Sequence, residues 1–369
     1  MKTTRRTFLQ LSGTATAVTV FNIVPSRLLG RSAPSGKIAM GMIGLGGMGF
    51  ANLSSFLGMD DVAVKAVCDV SDRKRQAAKA RVDAHHGSRD CRAFSDFRDL
   101  CARPDIDAVM IATPDYLHAR VGLEALRCGK DVYGETPFAR THEEGLALAD
   151  AVTRSARVWQ AGNTQRAEPR FRRAVAAVRG GLIGDVARVE IGLPGGGRGP
   201  ACGSASGGTP DFHWRWVSAF GGGPLADGIG LYGDTALWGA GRDEEPLAVE
   251  GCGEYPRDGL YDTATAFRFR CVYRDGMELT VADGGRLEKG IGVRWIGRDG
   301  RWVWVTNGAL EASSPDLLAA VKMWALEPCA GLHRDFIACV KTRHAPLAPA
   351  DSARLAAALG QAGDRAMRG

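Results

Sequence analysis

Short apolar runs alternate with amphipathic stretches through the first part of the chain. Residues 37–43, 62–67, 108–112, 131–133 and 158–161 form compact runs of the kind that build strands buried on both faces. Between them, 47–57, 73–84, 119–128 and 142–155 read as helices. This alternation predicts an α/β unit with a doubly wound parallel sheet. Further on the pattern changes. Residues 186–193, 247–252, 264–273, 278–281, 292–296 and 301–305 read as strands, and Asp275-Gly276 and Asp299-Gly300 as hairpin turns.

The chain has 369 residues and 45% apolar content, enough for a large core and two domains with extensions. The formal charge is +6 with no dense Lys/Arg run, which argues against nucleic-acid binding. Nine cysteines form no C-x-x-C pair, and their number is odd. They read as small apolar thiols rather than as a zinc site or a disulfide framework. No cluster of His, Asp or Glu has metal-ligand spacing, so no metal is expected.

The N-terminus reads as an address. Arg5-Arg6 precede Thr7-Phe8-Leu9-Gln10 and a mildly apolar stretch over 11–24, as in a twin-arginine export signal. The stretch holds too many hydroxyls for a membrane span. Export to the periplasm is expected, with signal cleavage left open because no A-x-A site is visible. Residues 1–35 are therefore set apart as signal and linker.

One motif follows the first strand and opens the first helix: Gly44-Leu45-Gly46-Gly47-Met48-Gly49. Gly44 permits a tight turn, Gly46 lets the backbone approach a pyrophosphate, and Gly49 lets helix and strand pack closely. The helix N-terminus offers N–H groups and a positive dipole end to phosphates. Asp69, at the end of the second strand, can accept hydrogen bonds from ribose hydroxyls and would repel a 2′-phosphate. NAD is therefore expected as cofactor over NADP, although Arg73 and Lys74 lie near.

From about Lys37 onward the sequence resembles the Gfo/Idh/MocA oxidoreductases. The landmarks are Ala112-Thr113-Pro114-Asp115-Tyr116-Leu117-His118, then Gly129-Lys130-Asp131-Val132-Tyr133-Gly134-Glu135-Thr136-Pro137, then Gly162-Asn163-Thr164-Gln165-Arg166. Trp214-Arg215-Trp216 leads on to Gly221-Gly222-Gly223-Pro224-Leu225-Ala226-Asp227, and Leu310-Glu311-Ala312-Ser313 and Leu332-His333-Arg334-Asp335-Phe336 follow. The resemblance implies a Rossmann domain over 36–162, then an α+β domain over 163–345 with a large open, mostly antiparallel sheet, then a C-terminal helix within 346–369. It also implies cofactor contacts from Thr113, Pro114, His118, Glu135 and Pro137, a sugar or polyol-like substrate, and oligomerisation through the outer face of the second sheet.

Typical members carry a lysine in Glu-Lys-Pro and a histidine in Asp-x-x-x-His. Here Thr136 stands where the lysine belongs and Leu231 where the histidine belongs. Threonine can orient an oxygen but has no charge, and leucine carries no proton. A glycine-rich stretch, 195–208, replaces a segment of the exported relatives. Replacement candidates are Asp227, His118, Thr136 and Tyr232 for catalysis, and Gln165, Arg166, His213, Arg215 and Asp227 for substrate. His118 could equally cap the following helix, Arg166 could form an interface ion pair, and Asp234 reads as a helix cap. Three functions remain open: an exported NAD-dependent oxidoreductase, a redox-neutral glycosidase-like enzyme, or a silent nucleotide-binding subunit paired with an active relative.

Overall fold

The computed structural model describes residues 36–195 and 213–369; the export signal expected over 1–35 and nearly all of the 195–208 stretch lie outside them. The first sheet contains β1 (Ile38–Ile43), β2 (Val62–Cys68), β3 (Arg92–Phe94), β4 (Ala108–Ile111), β5 (Asp131–Gly134) and β6 (Trp159–Ala161). Its order is β3-β2-β1-β4-β5-β6, and every neighbouring pair is parallel. The direction of winding reverses between β1 and β4, so a crevice opens beyond their C-terminal ends. Strand β3 escapes the hydrophobic pattern because it is short and none of its three residues is fully buried.

Helix Asp115–Arg127 begins earlier than the apolar spacing indicates. Pro114 stands just before its first turn, and Asp115 adds an acidic group at the positive end of the helix. His118 is consequently inside this helix and does not cap it.

The second sheet contains β7 (Val186–Leu193), β8 (Ala248–Glu254), β9 (Ala266–Val272), β10 (Glu278–Asp283), β11 (Gly292–Gly297), β12 (Trp302–Val305) and β13 (Leu310–Ala312). Its order is β13-β12-β11-β7-β10-β9-β8; only β7 and β10 pair in parallel. Gly276 and Gly300 adopt positive φ of 83° and 85° in the expected hairpin turns, a conformation that favours glycine.

Each sheet has its own core. Helix Leu332–Thr342 joins the first core through Leu332, Phe336, Ile337 and Val340, although it falls inside the 163–345 segment expected for the second domain. Helix Ala350–Arg368 serves both: Ala353 and Ala357 face the first core, Leu355 and Leu359 the second.

Asp61, just before β2, fixes helix Leu332–Thr342 in place. It accepts hydrogen bonds of 2.9 and 2.7 Å from Arg334 and also pairs with Lys341. Burial works to raise the Asp61 pKa, but the hydrogen bonds and charges of Arg334 and Lys341 outweigh it and hold the group down at about 2, below its ordinary 3.8. A depressed carboxylate contributes stability above its unfolded pKa and loses it as the pH falls through the folded one. Asp61→Asn is therefore expected to lower unfolding free energy at neutral pH by about 2 kcal/mol. Urea denaturation at several pH values checks this: the gap between the two proteins should close between about pH 4 and pH 2.

Candidate functional site

The turn after β1 is built on missing side chains. Gly44 has φ of 84°, and a Cβ there would lie 2.5 Å from the Ala112 backbone. A Cβ on Gly49 would lie 1.9 Å from the Gly44 carbonyl oxygen, so only glycine lets helix Gly47–Leu57 start this close to the turn. Gly46 differs: a Cβ there would meet no protein atom within 4 Å. Its surroundings are open, as close approach by a ligand requires. Asp69 braces the turn from β2. Its Oδ2 accepts from the Leu45 N–H at 2.7 Å and its Oδ1 from the Ser71 N–H at 2.8 Å. A carboxylate has about four lone-pair sites, so acceptor capacity remains for ribose hydroxyls.

Above this turn lies a cleft of ≈ 680 Å³. Gly44 to Met48 and Asp69 line one end. Thr113, Pro114, Glu135 and Thr136 line the middle, and Arg215, Asp227 and Leu231 close it from the second domain. Met48 is exposed at the rim. These residues fit a dinucleotide: a cradle that a Cβ would fill, N–H groups at a helix start, and a carboxylate at the ribose end.

The floor was missed by sequence reasoning. His333 stacks on Tyr133 with centroids 4.9 Å apart, and its Nε2 lies 2.7 Å from Asn52 Oδ1. Asn52 Nδ2 donates to Glu135 Oε1 at 2.7 Å. Burial lowers the His333 pKa to about 4, so the ring is neutral and donates Nε2–H to Asn52. Burial raises the Glu135 pKa against the opposing hydrogen bond from Asn52. The available signal was Asn52 itself, a polar residue on a helix face otherwise made of Gly49, Leu53, Phe56 and Leu57.

Asp115 was also missed, although it stands within a landmark motif. It is 3% exposed and lines the cleft. Its Oδ2 and the adjacent Thr113 Oγ1 are buried with no hydrogen-bond partner among the described residues. Burial, then the nearby Asp227 charge, raise the Asp115 pKa to about 7; Arg215 and Arg140 oppose them. Desolvation by the cleft raises Asp227 as well, although its side chain is partly exposed, against its 3.3 Å ion pair with Arg215. Arg215 is held over the cleft by its own segment: Arg140 donates to the Ser218 carbonyl, and Asp262 accepts from the Ser218 N–H at 2.6 Å.

Several expected site residues are committed to other contacts or stand outside the cleft; His118 lines it. His118 is buried, with Nδ1 2.7 Å from the Pro137 carbonyl oxygen and Nε2 2.8 Å from that of Thr113. Burial lowers its pKa against these two carbonyls. The neutral ring has one N–H and donates it to one of these carbonyls, while the other nitrogen faces the second carbonyl, so neither is open to a substrate proton. Pro137 is buried behind the cleft rather than lining it. Tyr232 faces away. A π-helical turn, Ile229–Gly233, presents Leu231 to the cleft and packs Tyr232 against Phe171 in the second core. His213 is exposed and outside the cleft lining.

Gln165 and Arg166 do not reach the cleft either. Gln165 accepts from Thr235 Oγ1 at 2.8 Å, and Arg166 donates two 2.6 Å hydrogen bonds to Asp234. Arg166 is thus the interface ion pair. Asp234 is not a cap, because the backbone runs helically from Gly223 through the π turn into Asp234–Ala240 and offers no helix start to cap.

A crevice at the winding reversal, a glycine turn beneath it and a second domain across it define a two-domain fold with a dinucleotide-binding cleft. Residues 38–163 match the profile of the Gfo/Idh/MocA oxidoreductase family, described as an NAD-binding Rossmann fold. A glycosyl hydrolase family 109 protein of Shewanella sp. is 31% identical over 170 residues, 41% of this chain but only 37% of that relative. Among solved structures, the WlbA dehydrogenase of Bordetella pertussis, in complex with NADH and UDP-GlcNAcA, covers 90% of this chain and 97% of its own with a TM-score of 0.71 at 19% identity. The aldose-aldose oxidoreductase of Caulobacter crescentus, complexed with glycerol, covers 90% and 98% with a TM-score of 0.67, also at 19% identity. These structures share the fold across both domains.

Gly49→Ala places a methyl group against the Gly44 carbonyl. The expected result is a loss of about 1–3 kcal/mol in unfolding free energy. Nucleotide released from the purified protein should also fall, measured by chromatography after acid extraction. Normal stability with full nucleotide content would contradict the packing role.

Proposed function

We propose that this protein is an exported NAD-dependent oxidoreductase acting on a sugar or polyol-like substrate. The observation that carries the reading is the pairing of Asp227 and Arg215 across the cleft from the glycine turn, with Thr136 between them and the cradle. A carboxylate and a guanidinium together accept from and donate to vicinal hydroxyls. The turn N–H groups and the start of helix Gly47–Leu57 hold the pyrophosphate, and Asp69 holds the adenosine ribose and disfavours a 2′-phosphate. When bound, NAD supplies the hydride-accepting ring. Thr136 orients the substrate oxygen in place of a lysine; its side chain packs over Gly230, where a Cβ would come within 2.7 Å. Leu231 contributes shape and excludes water, and carries no proton.

The names of the solved neighbours, a dehydrogenase held with NADH and a nucleotide sugar and an aldose oxidoreductase, support the substrate class. The curated relative named as a glycosyl hydrolase supports a second reading, redox-neutral cleavage of a glycoside with NAD retained. Assembly into homo-oligomers, or with an active relative, and periplasmic export through Arg5-Arg6 complete the proposal; tight nucleotide retention suits a compartment where NAD is scarce.

Purified protein should contain NAD and show the near-ultraviolet absorbance of reduced nicotinamide when sugars or polyols are added. Retained NAD with no absorbance change, together with release of free sugar from a glycoside, would favour the second reading. Retained NAD with neither response would indicate a silent subunit. In the oxidoreductase case, Thr136→Lys with Leu231→His should raise turnover by roughly 10²-fold or more.

A further inference from the structure

The cleft lacks both usual proton-handling groups, yet it contains a carboxyl group that the site described so far does not use. Asp115 stands at the C-terminal side of the sheet, directly after β4, where ligands of this fold lie. Its side chain is almost wholly buried while lining the cleft. Oδ2 of Asp115 and Oγ1 of Thr113, two residues apart, are both covered and both lack a partner among the described residues. Native proteins rarely bury such atoms without a partner, and a hydroxyl entering the cleft would supply one.

We propose that Asp115 is a catalytic residue of this cleft: its carboxylate takes the hydroxyl proton of the substrate, which Thr113, Asp227 and Arg215 hold against it. The proposal rests on the oxidoreductase reading. As the substrate O–H bond breaks, its proton passes to Asp115. The substrate carbon gives its hydride to NAD, and its C–O bond becomes C=O. Reduction runs the same transfers backwards, with protonated Asp115 as the donor.

The groups around Asp115 suit this task. Asp227, from the short helix Gly223–Gly228, brings a like charge. Arg215, from the turn Trp214–Trp216, and Arg140, after β5, bring opposing positive charge. With burial as the largest cause, the balance leaves Asp115 near pH 7, where a carboxyl group can both take and return a proton. Glu135 and His118 lie nearby but are bound to Asn52 and to backbone carbonyls, respectively.

The test uses the full-length, NAD-loaded protein. Aspartate carboxyl carbons labelled with ¹³C are followed by NMR from acid to alkaline pH in wild type, Asp115→Asn and Asp227→Asn. One aspartate should titrate near pH 7 in wild type, vanish in Asp115→Asn, and move to lower pH in Asp227→Asn. No aspartate titrating above the ordinary carboxylate range, or a neutral titration that survives in Asp115→Asn, would overturn the proposal without touching the oxidoreductase reading. With a sugar that reduces bound NAD, Asp115→Asn should slow turnover by roughly 10²–10⁴-fold at unchanged NAD content, with Asp115→Glu recovering part of the loss. Turnover within threefold of wild type also overturns it. A wild type that turns over nothing, with the neutral titration intact, removes the oxidoreductase reading and the proton step with it, and leaves the carboxyl assignment in place.

Discussion

The buried ion pair between Arg166 and Asp234 is the constraint on which the site depends. Both side chains are almost fully removed from water, and both guanidinium contacts are 2.6 Å long. A pair so placed gives up hydration that only good geometry can offset. The geometry here is reinforced: Asn163 donates to the same carboxylate at 2.6 Å, and Arg166 also donates to the Leu347 carbonyl at 2.9 Å. The pair joins the segment after β6 to the helix that follows the π turn. It thereby sets where Asp227 and Leu231 stand relative to the glycine turn, although neither partner faces the cleft.

The electrostatics of the cleft follow from this closure. One wall carries Asp115 and the other Asp227, which pairs with Arg215. Two like charges in a confined space with one facing guanidinium cannot both be held cheaply, so proton affinity rises on that side. On the floor, His333 stays neutral because it is covered by Tyr133 and Phe56 and its Nε2 is committed to Asn52. One side of the cleft can hold a proton; the other is fixed in hydrogen bonds.

Much of this was legible in the sequence, for reasons that are local. Alternating apolar runs and amphipathic stretches specify a doubly wound sheet without knowledge of distant contacts. The glycine turn and Asp69 are legible because each position answers to a neighbour within the same β-α-β unit. What was not legible depends on contacts far along the chain. Whether Arg166 faces substrate or Asp234 is decided 68 residues away. Tyr232 was misplaced because adjacency to Leu231 says nothing of the π turn, which presents Leu231 to the cleft and sends Tyr232 into the second core. Asp115 looked like part of a motif, because its significance lies in what covers it.

The floor of the cleft has a consequence for how the protein comes into being. His333 and Asn52 are 281 residues apart, and Arg334 and Asp61, which seat the same helix, are 273 apart. Closing so long a loop costs chain entropy that nothing local repays, so these contacts belong to the late stages of folding. The Asp69 brace and the Ala112 packing of the glycine turn lie within the first sheet; the bed beneath it is complete only when nearly the whole chain has been made. A cleft that needs both parts is therefore finished only in a chain folded from its first sheet to its last helices.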